Sequence, residues 1–288
     1  MNVKKVYRGK TVAEVLELLE QYGSRSYVIA GGTDAIIQLR EKHIDPEVMV
    51  DISSVKEIQF IRESQDEIVI GGGTNFTSIS ESPMLQGRVK GLAQAARMVG
   101  SPQIRNTATI GGNICNASPA ADIVPPLLAL EAEVVIEKKG EKRRIPLDTF
   151  LMGKGKLDLK PEELVTAICF KRPKDGQGLG FGKLGLRKAL AISRIATAIF
   201  ISIDEKGTCK EIKIASGAVG TRGLREREVE TIFTGKVLTE EVIDEGLQQL
   251  SHVVGQRLAG RSTADFKATA VKGICRQALL AALASCQA

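Results

Sequence analysis

Two short stretches carry residue types that could do chemistry, Ala30-Gly31-Gly32-Thr33-Asp34 and Thr109-Ile110-Gly111-Gly112-Asn113. Each sets a glycine pair behind a short β-type run and beside hydroxyl, amide or carboxylate side chains. A strand that runs into Gly-Gly and then a helix exposes consecutive backbone N–H groups at a positive helix terminus, which suits an anion, usually a phosphate. The missing side chains let a ligand come within hydrogen-bond distance. For either loop alone, a plain tight turn is the alternative. The second loop belongs to "IRNTATIGGNICNASPAADIVPP" (Ile104 to Pro126), which continues through Asn116 and Ser118 to one acid, Asp122. That segment has no periodic apolar face, so exposed backbone is expected there rather than a helix or an ordinary strand. Two such loops could grip the two phosphates of a dinucleotide from both sides.

Other chemistries find little support. No G-x-G-x-x-G follows a strand and no G-x-x-x-x-G-K-[ST] occurs, so neither a Rossmann nor a Walker A site is written here. His43 and His252 are the only histidines, and no G-x-S-x-G elbow accompanies them. Five cysteines, Cys115, Cys169, Cys209, Cys275 and Cys286, are far apart and never form C-x-x-C, which speaks against a disulfide framework or a zinc or iron–sulfur nest. They read as small buried hydrophobes in a reducing compartment. The net charge of +6 is modest, and its densest stretch, Glu137 to Arg144, reads as a hairpin tip. With no tryptophan and three tyrosines, a nucleic-acid surface is not expected. No apolar run approaches the roughly 20 residues that cross a bilayer, and the N-terminal "MNVKKVYRGK" lacks the apolar stretch of a signal peptide. A cytoplasmic protein without a membrane partner is the expectation.

The elements that would position these loops can be read from periodicity. The chain of 288 residues, 43% hydrophobic, suits two domains. Thr11 and Glu14 form a capping-box pattern before Val12, Val15, Leu19 and Tyr22, a helix expected to end at Gly23. With strands near Val6, at Ser26–Ala30 and at Glu47–Ser53, and a helix after the first glycine pair, the first 55 residues read as βαβαβ. A hairpin follows from Ile58, then helices around Phe76–Ser80 and Arg88–Val99, a short helix through "DIVPPLLALEA", a second hairpin, and the strand "ELVTAICF". "KRPKDGQGLGFG" (Lys171 to Gly182) is the best boundary between domains. Three strands and two or three helices, from Glu240 onward, complete the chain.

Three segments, "VIAGGTDAI", "GSPQIRNTATIGGNICNASPAADIVPPLLALEAEV" and "FGKLGLRKALAIS", resemble the FAD-binding medium subunit of the molybdenum hydroxylase, or xanthine dehydrogenase, family. The resemblance runs through essentially the whole chain. It implies an α+β fold: a two-part FAD-binding domain of the vanillyl-alcohol oxidase (PCMH) type over residues 1–173, with subdomains of about 1–55 and 56–173. A C-terminal domain with a small antiparallel sheet and a helical bundle would occupy 178–288. It further implies that Val28, Ile29, Ala30, Gly31, Gly32, Thr33 and Asp34, together with Thr109, Gly111, Gly112, Asn113, Asn116 and Asp122, hold the FAD. Lys183 would lie near the flavin ring and Val165 would make an aliphatic contact. No catalytic acid, base or metal ligand is required of this chain.

The implied role is a relay. A large molybdopterin subunit hydroxylates the substrate, electrons pass through 2Fe–2S clusters on a small subunit, and FAD on this chain hands them to an acceptor, most often NAD+. A dimer of heterotrimers would be the assembly. Some family members place a tyrosine beside the flavin where this chain has aliphatic residues, Ile192 among them, so the resemblance leaves the acceptor open. The glycine loops carry no histidine, and Cys115 stands where a small aliphatic residue is usual, so the flavin is expected to be non-covalent. The alternatives are a stand-alone FAD-dependent oxidoreductase of the same fold, which would need its own acid or base near the flavin, and a module that has lost its cofactor.

Overall fold

The computed structural model describes every residue except Met1, Lys188, Ala189 and Ala288. The chain begins with β1 (Lys5–Arg8), α1 (Val12–Tyr22), β2 (Ser26–Ile29), α2 (Ala35–Arg40) and β3 (Val48–Asp51), the βαβαβ order expected. The three strands form a parallel sheet with β3 in the middle. Thr11 caps α1 by accepting from the Glu14 N–H, while the Glu14 carboxylate turns back to the Lys10 N–H at 2.8 Å, one residue before the position a capping box would use. The helix stops at Gly23, whose φ of 49° costs glycine little. Val15, Leu16 and Leu19 pack on Val48 and Val50, and Leu164 from the next subdomain closes that small core.

The second subdomain opens with the hairpin β4 (Ile61–Ser64) and β5 (Glu67–Gly71), followed by five helices, α3 (Phe76–Glu81), α4 (Lys90–Arg97), α5 (Pro102–Thr107), α6 (Ile110–Cys115) and α7 (Val124–Ala129). Then come β6 (Glu133–Lys138), β7 (Glu141–Pro146), α8 (Leu147–Phe150), the small hairpin β8 (Leu151–Gly153) and β9 (Lys156–Leu157), and β10 (Leu164–Lys171). Its antiparallel sheet runs β4-β5-β10-β6-β7. The reading of Ile104–Pro126 as free of helix is corrected, because the end of α5, all of α6 and the start of α7 lie within it. Ile110, Ile114 and Ile123 are fully buried there, beside Ala117 and Ala121. Small residues let these short helices pack backbone against backbone, so no periodic apolar stripe is needed to hold them.

The remainder comprises β11 (Gln177–Gly185), β12 (Ser193–Ile203), β13 (Cys209–Gly217) and β14 (Leu224–Arg225) in one antiparallel sheet, with α9 (Arg227–Phe233), α10 (Glu240–Arg257) and α11 (Ala264–Ser285). Most of the glycines that read as a boundary loop lie inside β11. A Cβ added at Gly180 would sit 2.1 Å from the Ala278 carbonyl oxygen, and Gly178 and Gly182 are as tightly covered. Glycine at every second residue strips one face of the strand, so α11 rests directly on its backbone. The other face supplies Leu179 and Phe181, which join Ala196, Ala198 and Phe200 in one core with Leu92, Val124 and Leu127 of the second subdomain. The sheet is thus held between that subdomain and its own helices, which cover Ile195, Ile199 and Ile201.

Candidate functional site

The Gly31–Asp34 turn joins β2 to α2. Among the described residues, none of the N–H groups of Gly31, Gly32, Thr33 or Asp34 has a protein acceptor within hydrogen-bond distance. Gly32 has φ +68°, which curls the turn so that successive donors stand unpaired, the arrangement of an anion nest. Val28 and Ile29 lead into the turn along half-buried β2, and Ala30 follows. Asp34 is exposed. Gly31 has a second task, because a Cβ there would stand 2.0 Å from the Thr107 carbonyl oxygen. Its bare backbone brings the turn against the segment between α5 and α6.

The second loop is built differently from the sequence reading. Thr109 caps α6 by accepting from the Gly112 N–H at 3.1 Å. The Ile110 and Gly111 N–H groups donate to the Thr74 and Gly72 carbonyls at 3.0 and 2.9 Å. These donors are used inside the protein, since α6 docks end-on against the turn after β5. Gly111 therefore admits a neighbouring turn: its Cβ would stand 2.6 Å from the Gly72 oxygen. Gly112 is exposed and has only the Thr109 hydroxyl at 3.0 Å. At the next residue, the Asn113 Oδ1 is buried without a hydrogen-bond partner among the described residues. Asn116 Oδ1 accepts from Gln38 Nε2 at 2.8 Å, and the Tyr27 hydroxyl reaches Gln38 Oε1 at 3.4 Å. This chain of bonds ties α2 to α6, and burial raises the Tyr27 phenol above its usual value.

Asp122 and Lys183, distant in sequence, meet directly. The Lys183 Nζ lies 2.6 Å from Asp122 Oδ2, both side chains are less than one-tenth exposed, and the ammonium also donates to the Met98 carbonyl at 3.0 Å. The Ser193 hydroxyl donates to Asp122 Oδ1 at 2.5 Å. Burial pushes the Asp122 carboxyl above its ordinary value, against the pull of the Lys183 charge and of the bonds from Lys183 and Ser193. The group spans the interface, with Asp122 from the second subdomain and Lys183 and Ser193 from the C-terminal sheet. Ser193, Met98 and Gln38 were not legible as site residues, since nothing in their type or spacing marks the partners they meet. Val165 is buried in β10, and its carbonyl oxygen would stand 2.5 Å from a Cβ placed on Gly72.

These residues fit a dinucleotide. The unpaired donor row suits phosphate, the orphaned Asn113 oxygen waits for a hydroxyl or amino donor, and the exposed face of Gly112 leaves room for close approach. Burial pushes the Cys115 thiol up to about 12, so at neutral pH it is no thiolate nucleophile. Flavin bound here is expected to leave with the supernatant when the protein is precipitated with acid. Yellow colour pelleting with the chain would contradict this.

Known proteins resemble this chain over nearly its whole length. Residues 2–171 match the family model described as the FAD binding domain in molybdopterin dehydrogenase. Residues 183–282 match the CO dehydrogenase flavoprotein C-terminal domain. The chain is 35% identical over 269 residues to the nicotinate dehydrogenase FAD-subunit of Eubacterium barkeri, covering 92% of this chain and 91% of that one. It is 30% identical to a putative xanthine dehydrogenase FAD-binding subunit of Escherichia coli, covering 97% and 96%. Among solved structures, carbon monoxide dehydrogenase from Hydrogenophaga pseudoflava superposes with a TM-score of 0.91 at 29% identity, covering 99% of this chain and 98% of that one. No helix among the described residues is long and apolar enough to cross a membrane. With a flavoprotein model matched over more than half its length and relatives aligned nearly end to end, the chain belongs to the family of FAD-binding subunits of molybdenum hydroxylases.

Proposed function

We propose that this chain is the electron-transferring FAD subunit of a heteromeric molybdenum hydroxylase of the xanthine dehydrogenase type. A small 2Fe–2S subunit delivers the electrons, a large molybdopterin subunit generates them, and NAD+ accepts them. The assembly is a cytoplasmic dimer of heterotrimers. FAD supplies the redox chemistry when bound, and the protein contributes binding, orientation and electrostatics.

In this reading the Gly31–Asp34 turn donates its free N–H groups to a phosphate, and Val28, Ile29 and Ala30 line the approach. The Asn113 oxygen accepts from the nucleotide, and Thr109, Gly111 and Asn116 hold α6 where Gly112 and Asn113 face it. Asp122 fixes Lys183 so that its charge stands at a set place beside the flavin, and Val165 backs the seam. The observation that carries the reading is the row of four consecutive unpaired donors in a turn packed on Thr107 and Ala108, two residues before a helix that carries a buried, unpartnered amide oxygen. Incubation of the purified full chain with FAD, followed by gel filtration, should leave about one flavin per chain with its absorption bands. A colourless protein would sink the proposal. Co-purification of iron and molybdenum from cells expressing the neighbouring subunits would then distinguish the relay from a stand-alone flavoenzyme.

A further inference from the structure

Gln38 and Asn116 meet across the seam between the first two subdomains, and each carries an amide whose two ends differ in chemistry, an oxygen that accepts and an NH2 that donates. Gln38 lies on α2, which starts directly after the Gly31–Asp34 turn, and Asn116 closes the C-terminal end of α6. Both side chains are half-buried. Gln38 Nε2 donates to Asn116 Oδ1 at 2.8 Å, which turns the Gln38 oxygen the other way, where the Tyr27 hydroxyl donates to it over a long 3.4 Å. Burial, ahead of the neighbouring Cys115 and Asp34, holds the Tyr27 phenol above its usual value, so it keeps its proton and remains a donor.

The chain of bonds gives Asn116 a direction. Its Oδ1 is engaged by Gln38, and its Nδ2 has no acceptor among the described residues and is open to solvent. Asn113, three residues earlier and so on the same side of α6, has the opposite character, because its buried Oδ1 lacks a donor. This side of the helix therefore presents a donor held from behind next to an acceptor that nothing in the chain meets.

We infer that Gln38 is a positioning residue: with its own direction set by Tyr27, it holds the Asn116 amide so that Nδ2 donates to an acceptor oxygen of the bound FAD. The inference rests on the function proposed above and adds which end of Asn116 faces the cofactor and what keeps it there. A free asparagine amide turns over and shows either end to a ligand, whereas one held from behind is aimed before binding and adds less ordering cost. A mere tie between α2 and α6 is the competing role, and it makes the opposite demand at position 38. Glutamate there would serve a tie well, since its carboxylate accepts both from Tyr27 and from a reversed Asn116. It would spoil the positioning, because Asn116 reaches a carboxylate only by turning Nδ2 inward and Oδ1 toward the cofactor.

FAD titration of the purified full chain, read by the change in flavin fluorescence, tests this with three variants. Gln38→Glu should bind FAD about tenfold more weakly, the scale of one hydrogen bond, while its flavin-free form melts as the wild type does. Asn116→Leu, which removes the donor, should lose about as much. The double variant should lose no more than either alone, because the substitution at Gln38 acts only through Asn116. Full affinity in Gln38→Glu would leave Gln38 a tie and overturn the inference. So would additive losses, which would mean that the new carboxylate repels the phosphates directly. In the flavin-free, 15N-labelled chain, the Asn116 side-chain amide hydrogens should exchange fast in the wild type and be protected in Gln38→Glu, and equal exchange in both would sink the assigned direction. If the wild-type chain retains no FAD, the proposed function fails first, and the amide exchange still reads the relay separately.

Discussion

Asp122→Ala is expected to be the most damaging polar substitution at the site, lowering stability by about 3–5 kcal/mol and abolishing flavin retention. The size follows from what is left behind. Lys183 is less than one-tenth exposed and keeps only the Met98 carbonyl as acceptor, so its ammonium would be buried without a countercharge. The Ser193 hydroxyl, also buried, would lose its acceptor. Because the group bridges the second subdomain and the C-terminal sheet, the loss falls on the interface that positions the β11–β12 connection. The double variant Asp122→Ala with Lys183→Met removes both charges, and buried pairs replaced by apolar groups are often neutral in stability. The double variant should therefore melt close to the wild type while still retaining little FAD. This separation isolates the functional part of the pair from its structural part. If single and double variants melt alike, the ion pair is not what holds the interface. If the double variant keeps its flavin, Asp122 and Lys183 are not binding residues.

Local signals were readable where a residue acts on its own neighbours. Thr11 and Gly23 bound α1 as their types foretell, and the alternation from Val6 to Ser53 yields the parallel sheet. The three-stranded run of the C-terminal sheet was equally visible, while β8, β9, β14 and α9 were not, being short elements with little periodic signal. The glycines illustrate the limit. Gly31 and Gly111 stood out by type, yet type cannot say whether the missing side chain makes room for a ligand or for another piece of the chain. In both cases the chain itself, Thr107 in one and Gly72 in the other, fills the space. The glycines of β11 were legible only in part: the stretch does fall between the two matched family models, and its strand was read from Gly180 onward, but the composition of a loop hid that the strand starts at Gln177 with α11 resting on its glycines. Asp122 was singled out as the lone acid of its segment, but its meeting with Lys183 and Ser193 depends on how two separate units pack, which no local pattern encodes.

The distinction between Gly111 and Gly112 makes the second large effect. Gly111→Val should destabilise the protein by about 3 kcal/mol, the upper end of what overpacking costs, because its Cβ would stand 2.6 Å from the Gly72 carbonyl and 3.1 Å from the Gly72 Cα. Both neighbours are backbone in a turn whose own space is closed by Val165, so the strain cannot pass to a flexible side chain. The α6 N-terminus would have to lift, breaking the Gly111 N–H to Gly72 bond and displacing Asn113, and flavin should be lost together with stability. Gly112→Ala places a methyl group on the exposed side of the same helix, where the protein offers only the Thr109 hydroxyl at 3.0 Å. Its melting temperature should change little. If the nucleotide approaches this exposed face as closely as proposed, the added methyl stands in its way, and FAD affinity should still fall by about tenfold, roughly 1.4 kcal/mol. Thermal melts and flavin titrations on the two variants separate the roles: Gly111 fails in both measurements and Gly112 in binding alone. Full FAD affinity in Gly112→Ala would show that the ligand does not contact this face of α6, and the phosphate site would then rest on the Gly31–Asp34 turn by itself.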